Sequence, residues 1–151
     1  MRKDWDEYFM DFAILAAARS GCLSRQVGCV IVKDNRVIST GYNAAPIGIQ
    51  ECVNKGCCLR KNSASGTNLG YCYAVHAEQN AIAQCAKYGI SCLGASLYVT
   101  TQPCATCAKL MINSGIKEVI YLEPYPDELG LQILETAGIT VRQYTRNLHG
   151  L

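Results

Sequence analysis

Charge is scarce in this sequence and long hydrophobic runs are absent. Only 17% of the 151 residues are Asp, Glu, Lys or Arg, and the formal net charge is +2. That balance advertises no basic field of the kind that holds DNA or RNA. A mononucleotide ligand is not excluded, since it needs only one or two cations. No stretch of about eighteen apolar residues occurs, so no helical membrane span is expected. The opening MRKDWDEYFMDFAILAAA places Asp4, Asp6 and Glu7 ahead of its apolar part. Those acids do not suit a secretory signal, and the spacing reads as an amphipathic first helix. The expected compartment is therefore the cytoplasm.

What the chain does have is a globular composition, half of it hydrophobic, and ten cysteines. Residues 1–151 are read as one domain with enough chain to bury a core. Helical spacing runs from Trp5 to Ala18. The β-branched run Gly28 to Val32, a turn at Asp34-Asn35 and a second arm at Val37 to Thr40 read as a hairpin. From Ala44 to about Gly70 periodicity fails, and a Cys-rich insertion is placed at about 44–72; a loop that long needs something to order it. Helices follow at His76 to Lys87, Cys104 to Ser114 and Asp127 to Ala137. Strands follow at Ser96 to Thr100, Glu118 to Leu122 and Ile139 to Tyr144. This alternation predicts an α/β protein with a sheet covered by helices.

Two segments carry the chemistry: His76-Ala77-Glu78 and Pro103-Cys104-Ala105-Thr106-Cys107. Between Glu78 and Pro103 there is room for a helix, a turn and a strand, a crossover that brings two helix starts side by side. One imidazole and two thiols supply three tetrahedral zinc ligands and leave the fourth position for water, the pattern of a catalytic site. A helix start favours the thiolate forms, and zinc in such a site brings the pKa of water to about 7. Glu78, two residues from His76, is placed to shuttle the proton. The competing readings are a redox CxxC and a core histidine. H-x-E followed by P-C-x-x-C is also the signature of zinc deaminases.

Over nearly its whole length the chain resembles the deoxycytidylate (dCMP) deaminase family of the cytidine-deaminase-like superfamily. The resemblance lies in SRQVGCVIVKDNRVISTGYNAAPIG, VHAEQNAI, LYVTTQPCATCAKLMINSGIKEVIY and AGITV. It implies a three-layer α/β/α fold with a central mixed five-stranded sheet, and hydrolysis of dCMP to dUMP and ammonia for thymidylate synthesis. It assigns His76, Cys104 and Cys107 to a catalytic zinc and Glu78 to proton transfer. Asn43 is assigned to the sugar, the Ala77 backbone to the base, Tyr125 to the nucleotide's surroundings and Arg25 to the phosphate. It also implies a homo-oligomer, with a hexamer favoured, and dCTP and dTTP as effectors, the triphosphate with Mg2+. The effector region would be Gly41, Tyr42 and Asn43, but regulated members have glycine where this chain has Ala44.

Cys22, Cys52, Cys57, Cys58 and Cys72 lie in or near the insertion. Similarity to relatives with C…GC…C before HAE implies a second, structural zinc on Cys22, Cys52, Cys57 and Cys72, with Cys58 as the spare. The alternative is that some are small buried hydrophobes. Cys29, Cys85 and Cys92 are expected in the core, and His149 in the tail is given no role. The rival activities are dCTP or mixed dCMP/dCTP deamination, tRNA adenosine deamination, and a non-catalytic zinc protein.

Overall fold

A computed structural model describes residues 1–64 and 67–146, and His149 lies outside them. Helix α1 (Trp5–Ala17) begins where extended Asp4 accepts the Glu7 N–H on its carboxylate at 2.8 Å, a side-chain cap. Strands β1 (Gly28–Lys33) and β2 (Arg36–Tyr42) form an antiparallel hairpin. Its turn residues Asp34 and Asn35 have φ of 52° and 55°, the left-handed geometry a two-residue hairpin requires. Then come α2 (Cys52–Lys55), α3 (Ala77–Tyr88), β3 (Ser96–Thr101), α4 (Ala105–Ser114), β4 (Glu118–Glu123), α5 (Leu129–Thr136) and β5 (Thr140–Gln143). The sheet order is β2-β1-β3-β4-β5, with β1 antiparallel to both neighbours and β3, β4 and β5 parallel.

Alternation along the strands sorts the core into two halves. Val30, Val32, Tyr98 and Ile120 meet Phe9, Met10 and Ala13 of α1. Cys29, Ile31, Leu97, Val99 and Val119 meet α3, α4 and α5 on the opposite face. The three-layer mixed sheet expected from the sequence is thus present, and Cys29, Cys85 and Cys92 are buried in it. Among the described residues, no helix is long and apolar enough to cross a membrane. The insertion contains more local structure than its sequence suggests: α2, and a 3-10 turn over Leu69–Tyr71. Both are too short for a periodic signal. Helix α5 starts at Leu129 instead of Asp127, because the Asp127 carboxylate accepts the Leu129 N–H at 2.9 Å.

A polar cluster ties α1 to the sheet. Arg142 of β5 grips Asp6 of α1 with both terminal nitrogens and donates from Nε to Glu118 at 3.0 Å, while the Tyr98 hydroxyl donates to Asp6 at 2.8 Å. The Arg142 hydrogen bonds hold the Asp6 carboxyl below its ordinary value, against the upward pull of partial burial. A depressed carboxyl stabilises the fold above its unfolded pKa and loses that contribution as pH falls through the folded value. Asp6→Asn is expected to cost about 1 kcal/mol at neutral pH. Urea unfolding at a series of pH values should show the gap from wild type closing below the ordinary carboxyl pKa.

Candidate metal centre and its pocket

His76 and Cys104 stand one residue before their helices, at the N-caps of α3 and α4, so two adjacent helix starts frame one space. The α3 start is set by close contact with β2. A Cβ added at Gly41 would lie 2.1 Å from the Ala77 carbonyl oxygen, so only glycine admits the helix there. Ser39 donates to Ala81 O and Asn80 to Tyr42 O, each at 2.7 Å. The His76 N–H is taken by the Gln79 side chain at 2.9 Å. The α4 start is backed in the same manner by α5: a Cβ at Gly130 would lie 2.2 Å from Pro103 O and 2.9 Å from the Cys104 carbonyl carbon.

The ligand atoms converge. His76 Nδ1 lies 3.6 Å from Cys104 Sγ and 3.3 Å from Cys107 Sγ, and all three atoms lie within 4.8 Å of one another. Zinc with Zn–S of about 2.3 Å and Zn–N of about 2.0–2.1 Å in tetrahedral geometry needs N···S separations of about 3.6 Å. The donor set and its spacing therefore fit zinc. Glu78, 5% exposed, places Oε2 3.6 Å from Cys107 Sγ, at the side of this cage. Among the described residues, no other group of His, Cys, Asp or Glu donors converges in this way.

Burial raises the Glu78 carboxyl to about 7, against the lowering effect of a backbone N–H and the His76 charge. A carboxyl so tuned both takes and gives protons near neutrality. The hydrogen bond from the Cys107 thiol, reinforced by His76, outweighs partial burial and brings Cys104 down to about 4. Cys107 moves far the other way, because it donates to Cys104 and because it is buried. The Cys104 partner raises His76, while burial and the more distant Arg60 charge oppose this.

A cavity of about 610 Å³ opens above the cage, and Asn43, Ala77, Arg25 and Tyr125 all line it with His76, Glu78 and Cys104. Asn43 is nearly spent within the fold. Its Oδ1 accepts from Ser20 Oγ at 2.6 Å and Val27 N at 2.9 Å, and its Nδ2 donates to Arg25 O at 2.8 Å. It thereby fixes the loop that carries Arg25. The Arg25 guanidinium lies 5.2 Å from the centre of the Tyr125 ring, a cation–π contact. Gly41 and Tyr42 do not line the cavity and serve the α3 contact described above. Ala44 is 5% exposed and pairs its backbone with Val75. Cys22, Cys57, Cys58 and Cys72 line the outer wall.

Three lining residues carry no motif signal. Gln102, 5% exposed, accepts the Tyr125 N–H at 3.2 Å and donates to Asp127 O at 3.1 Å, so it holds the loop under Tyr125. The available hint was a polar residue at a strand end just before Pro103. Arg60 and Lys61 reach the cavity from the insertion, where no periodicity directs attention to them.

With that cage on that fold, the chain belongs to the family described as the cytidine and deoxycytidylate deaminase zinc-binding region, whose model matches residues 3–123. Deoxycytidylate deaminase of Saccharomyces cerevisiae is 46% identical over 146 residues, which cover 96% of this chain and 46% of that protein. ComE operon protein 2 of Bacillus subtilis is 41% identical over 143 residues, covering 94% of this chain and 72% of that protein. The chain spans about half the length of the two yeast relatives it matches. The crystal structure of dCMP deaminase from cyanophage S-TIM5 in complex with dCMP and dUMP is similar with a TM-score of 0.81 at 29% identity. That match covers 95% of this chain and 99% of the phage chain.

Proposed function

We propose that this chain hydrolyses dCMP to dUMP and ammonia in the cytoplasm, supplying thymidylate synthesis. The observation that carries the reading is a three-ligand cage with a buried carboxylate beside it, at the base of a nucleotide-sized cavity. The similarity to relatives named deoxycytidylate deaminase and to a structure holding dCMP and dUMP supports the substrate. His76, Cys104 and Cys107 would hold zinc, which when bound activates water as a Lewis acid. Glu78 accepts a proton as water adds to C4 of the cytosine. It delivers that proton to the ring nitrogen, then takes the proton of the new C4 hydroxyl and passes it to the exocyclic nitrogen as the C4–N bond breaks. The products are the C4 carbonyl and ammonia, so atoms balance. The Ala77 backbone faces the base and the remaining N–H of Asn43 faces the sugar, while Tyr125 and Arg25 flank the phosphate end.

The test is deamination followed by ultraviolet absorbance on zinc-loaded protein, with dCMP, dCTP, CMP, deoxycytidine and cytosine in parallel. Conversion of dCMP with little activity on unphosphorylated compounds is expected. Preference for dCTP would move the specificity, and inactivity on all five would return the RNA and non-catalytic readings. Repeating the dCMP assay with dCTP or dTTP and Mg2+ reads the effector response, and light scattering reads the expected homo-oligomer.

The reading also includes a structural zinc in the insertion. Its support is that burial and then the neighbouring sulfurs of Cys58, Cys22 and Cys72 raise the Cys52 thiol. Cys57 is the exposed member of the five. Cys22, Cys52, Cys57 and Cys72 are kept as the proposed set, and Cys58, the spare, is tested beside Cys57. Zinc per chain, measured by mass spectrometry, should fall from two to one in Cys52→Ser, and Cys57→Ser compared with Cys58→Ser reads which of the two is the fourth ligand.

A further inference from the structure

Apart from Glu78 and the metal ligands, the charged side chains lining the cavity are all basic. Arg25, Arg60 and Lys61 line it, and the one carboxylate that does so is Glu78, buried beside the metal ligands. For a chain with 14 basic and 12 acidic residues, three cations around one opening without an exposed acid is a marked local excess, suited to an anion. Among the described residues, none of the three forms an ion pair with a carboxylate; the basic partners are Lys3, Arg142 and Arg146.

The cations come from two separate parts of the chain. Arg25 belongs to the loop between α1 and β1, which Asn43 fixes, and its guanidinium rests on Tyr125. Arg60 and Lys61 sit on a turn of the insertion held by Lys61 N–H to Cys58 O at 3.1 Å and Ser63 N–H to Arg60 O at 2.9 Å. Arg60 is half-buried, and its Nε donates to Thr67 O at 2.9 Å. That bond commits the Nε side of the guanidinium and leaves the two terminal nitrogens for a ligand. A planar pair of N–H donors held in this way matches two oxygens of a phosphate.

We propose that Arg60, with Lys61 beside it, is a specificity-determining contact for the nucleotide's phosphate, which it takes from the insertion side while Arg25 takes it from the α1–β1 side. This rests on the reading of the cavity as a nucleotide site. The insertion is then part of the substrate pocket and not merely an appendage to it. Selection for a phosphorylated nucleotide over its nucleoside depends on residues that the catalytic motifs do not contain. A nucleoside lacks the dianion and leaves the cation pair solvated, so the penalty for losing Arg60 falls on the nucleotide alone.

The experiment compares zinc-loaded wild type with Arg60→Gln, Arg60→Lys and Lys61→Gln. Turnover is measured on dCMP and deoxycytidine, and calorimetric binding on dCMP, dUMP and deoxyuridine. Arg60→Gln should lower the preference for dCMP over deoxycytidine by roughly 10- to 100-fold, carried by KM and by nucleotide Kd rather than kcat. Arg60→Lys should recover part of the preference by restoring charge. Lys61, being exposed, tolerates replacement without disturbing the fold and should show a smaller loss in the same direction. A preference unchanged in both Gln variants overturns the assignment. So does a loss equal for dCMP and deoxycytidine in Arg60→Gln and Arg60→Lys, which would mark a structural role. A wild type that binds dCMP without converting it refutes the reaction, while the ratio of dUMP to deoxyuridine binding still decides Arg60. A wild type that binds no nucleotide refutes both.

Discussion

Replacing Glu78 by Gln lowers turnover by about 10²- to 10⁴-fold, the range general acid–base catalysis supplies, while the protein retains its metal. The amide has nearly the shape of the carboxyl group and can keep the contact to Cys107 Sγ, which stands at 3.6 Å. It cannot take a proton at the atom that faces the reacting centre. None of the three cage ligands is altered, so zinc per chain measured on the purified variant should match wild type. Under the proposed mechanism the loss should appear in kcat, because that role is exercised as the bonds change rather than in holding the nucleotide. Substantial turnover by a zinc-replete Glu78→Gln protein would remove Glu78 from the mechanism. Equal loss of metal and activity would instead assign it to upkeep of the cage.

A second large effect is expected from a residue that supplies no metal ligand and does not line the cavity. Gly130→Ala inserts a methyl carbon 2.2 Å from Pro103 O and 2.9 Å from the Cys104 carbonyl carbon. Both obstacles are backbone, so no side-chain rotation relieves the contact, and overpacking of this kind costs about 1–3 kcal/mol. The displacement falls on the peptide that aims Cys104 at the other two ligands. Zinc affinity should drop by roughly 10- to 100-fold, as for the loss of other groups that support metal ligands. Thermal unfolding and competition with a chromophoric chelator read the two effects separately. Unchanged values in both would mean that α5 can withdraw from Pro103 without penalty.

The ease of reading the cage from the sequence has a local cause. His76 and Glu78 are two residues apart, Cys104 and Cys107 three, and each pair is adjacent to a helix start that Pro103 or the returning apolar pattern marks. The strands were legible for a comparable reason: GCVIV and LYVT are β-branched or apolar runs buried in the middle of the sheet. What escaped depends on partners far away in sequence. Gln102 matters because a loop more than twenty residues further on folds back onto it. Arg60 matters because the insertion turns its flank toward the cage. The Glu78 shift comes from burial, which only the assembled fold supplies.

The amino-terminal helix has a consequence for how this module can be joined to others. Asp11 on α1 accepts from Lys3 and, at 3.0 Å, from Arg146, so the two ends of the described chain are clasped on one side of the sheet. The metal cage, carried by α3 and α4, lies across the sheet from that clasp. Fusion partners attached near residues 3 and 146 would therefore leave from neighbouring points, on the α1 side of the sheet. The same proximity makes residues 3–146 a candidate for circular permutation, with those two points linked and new ends opened at Asp34-Asn35, in the exposed turn between β1 and β2.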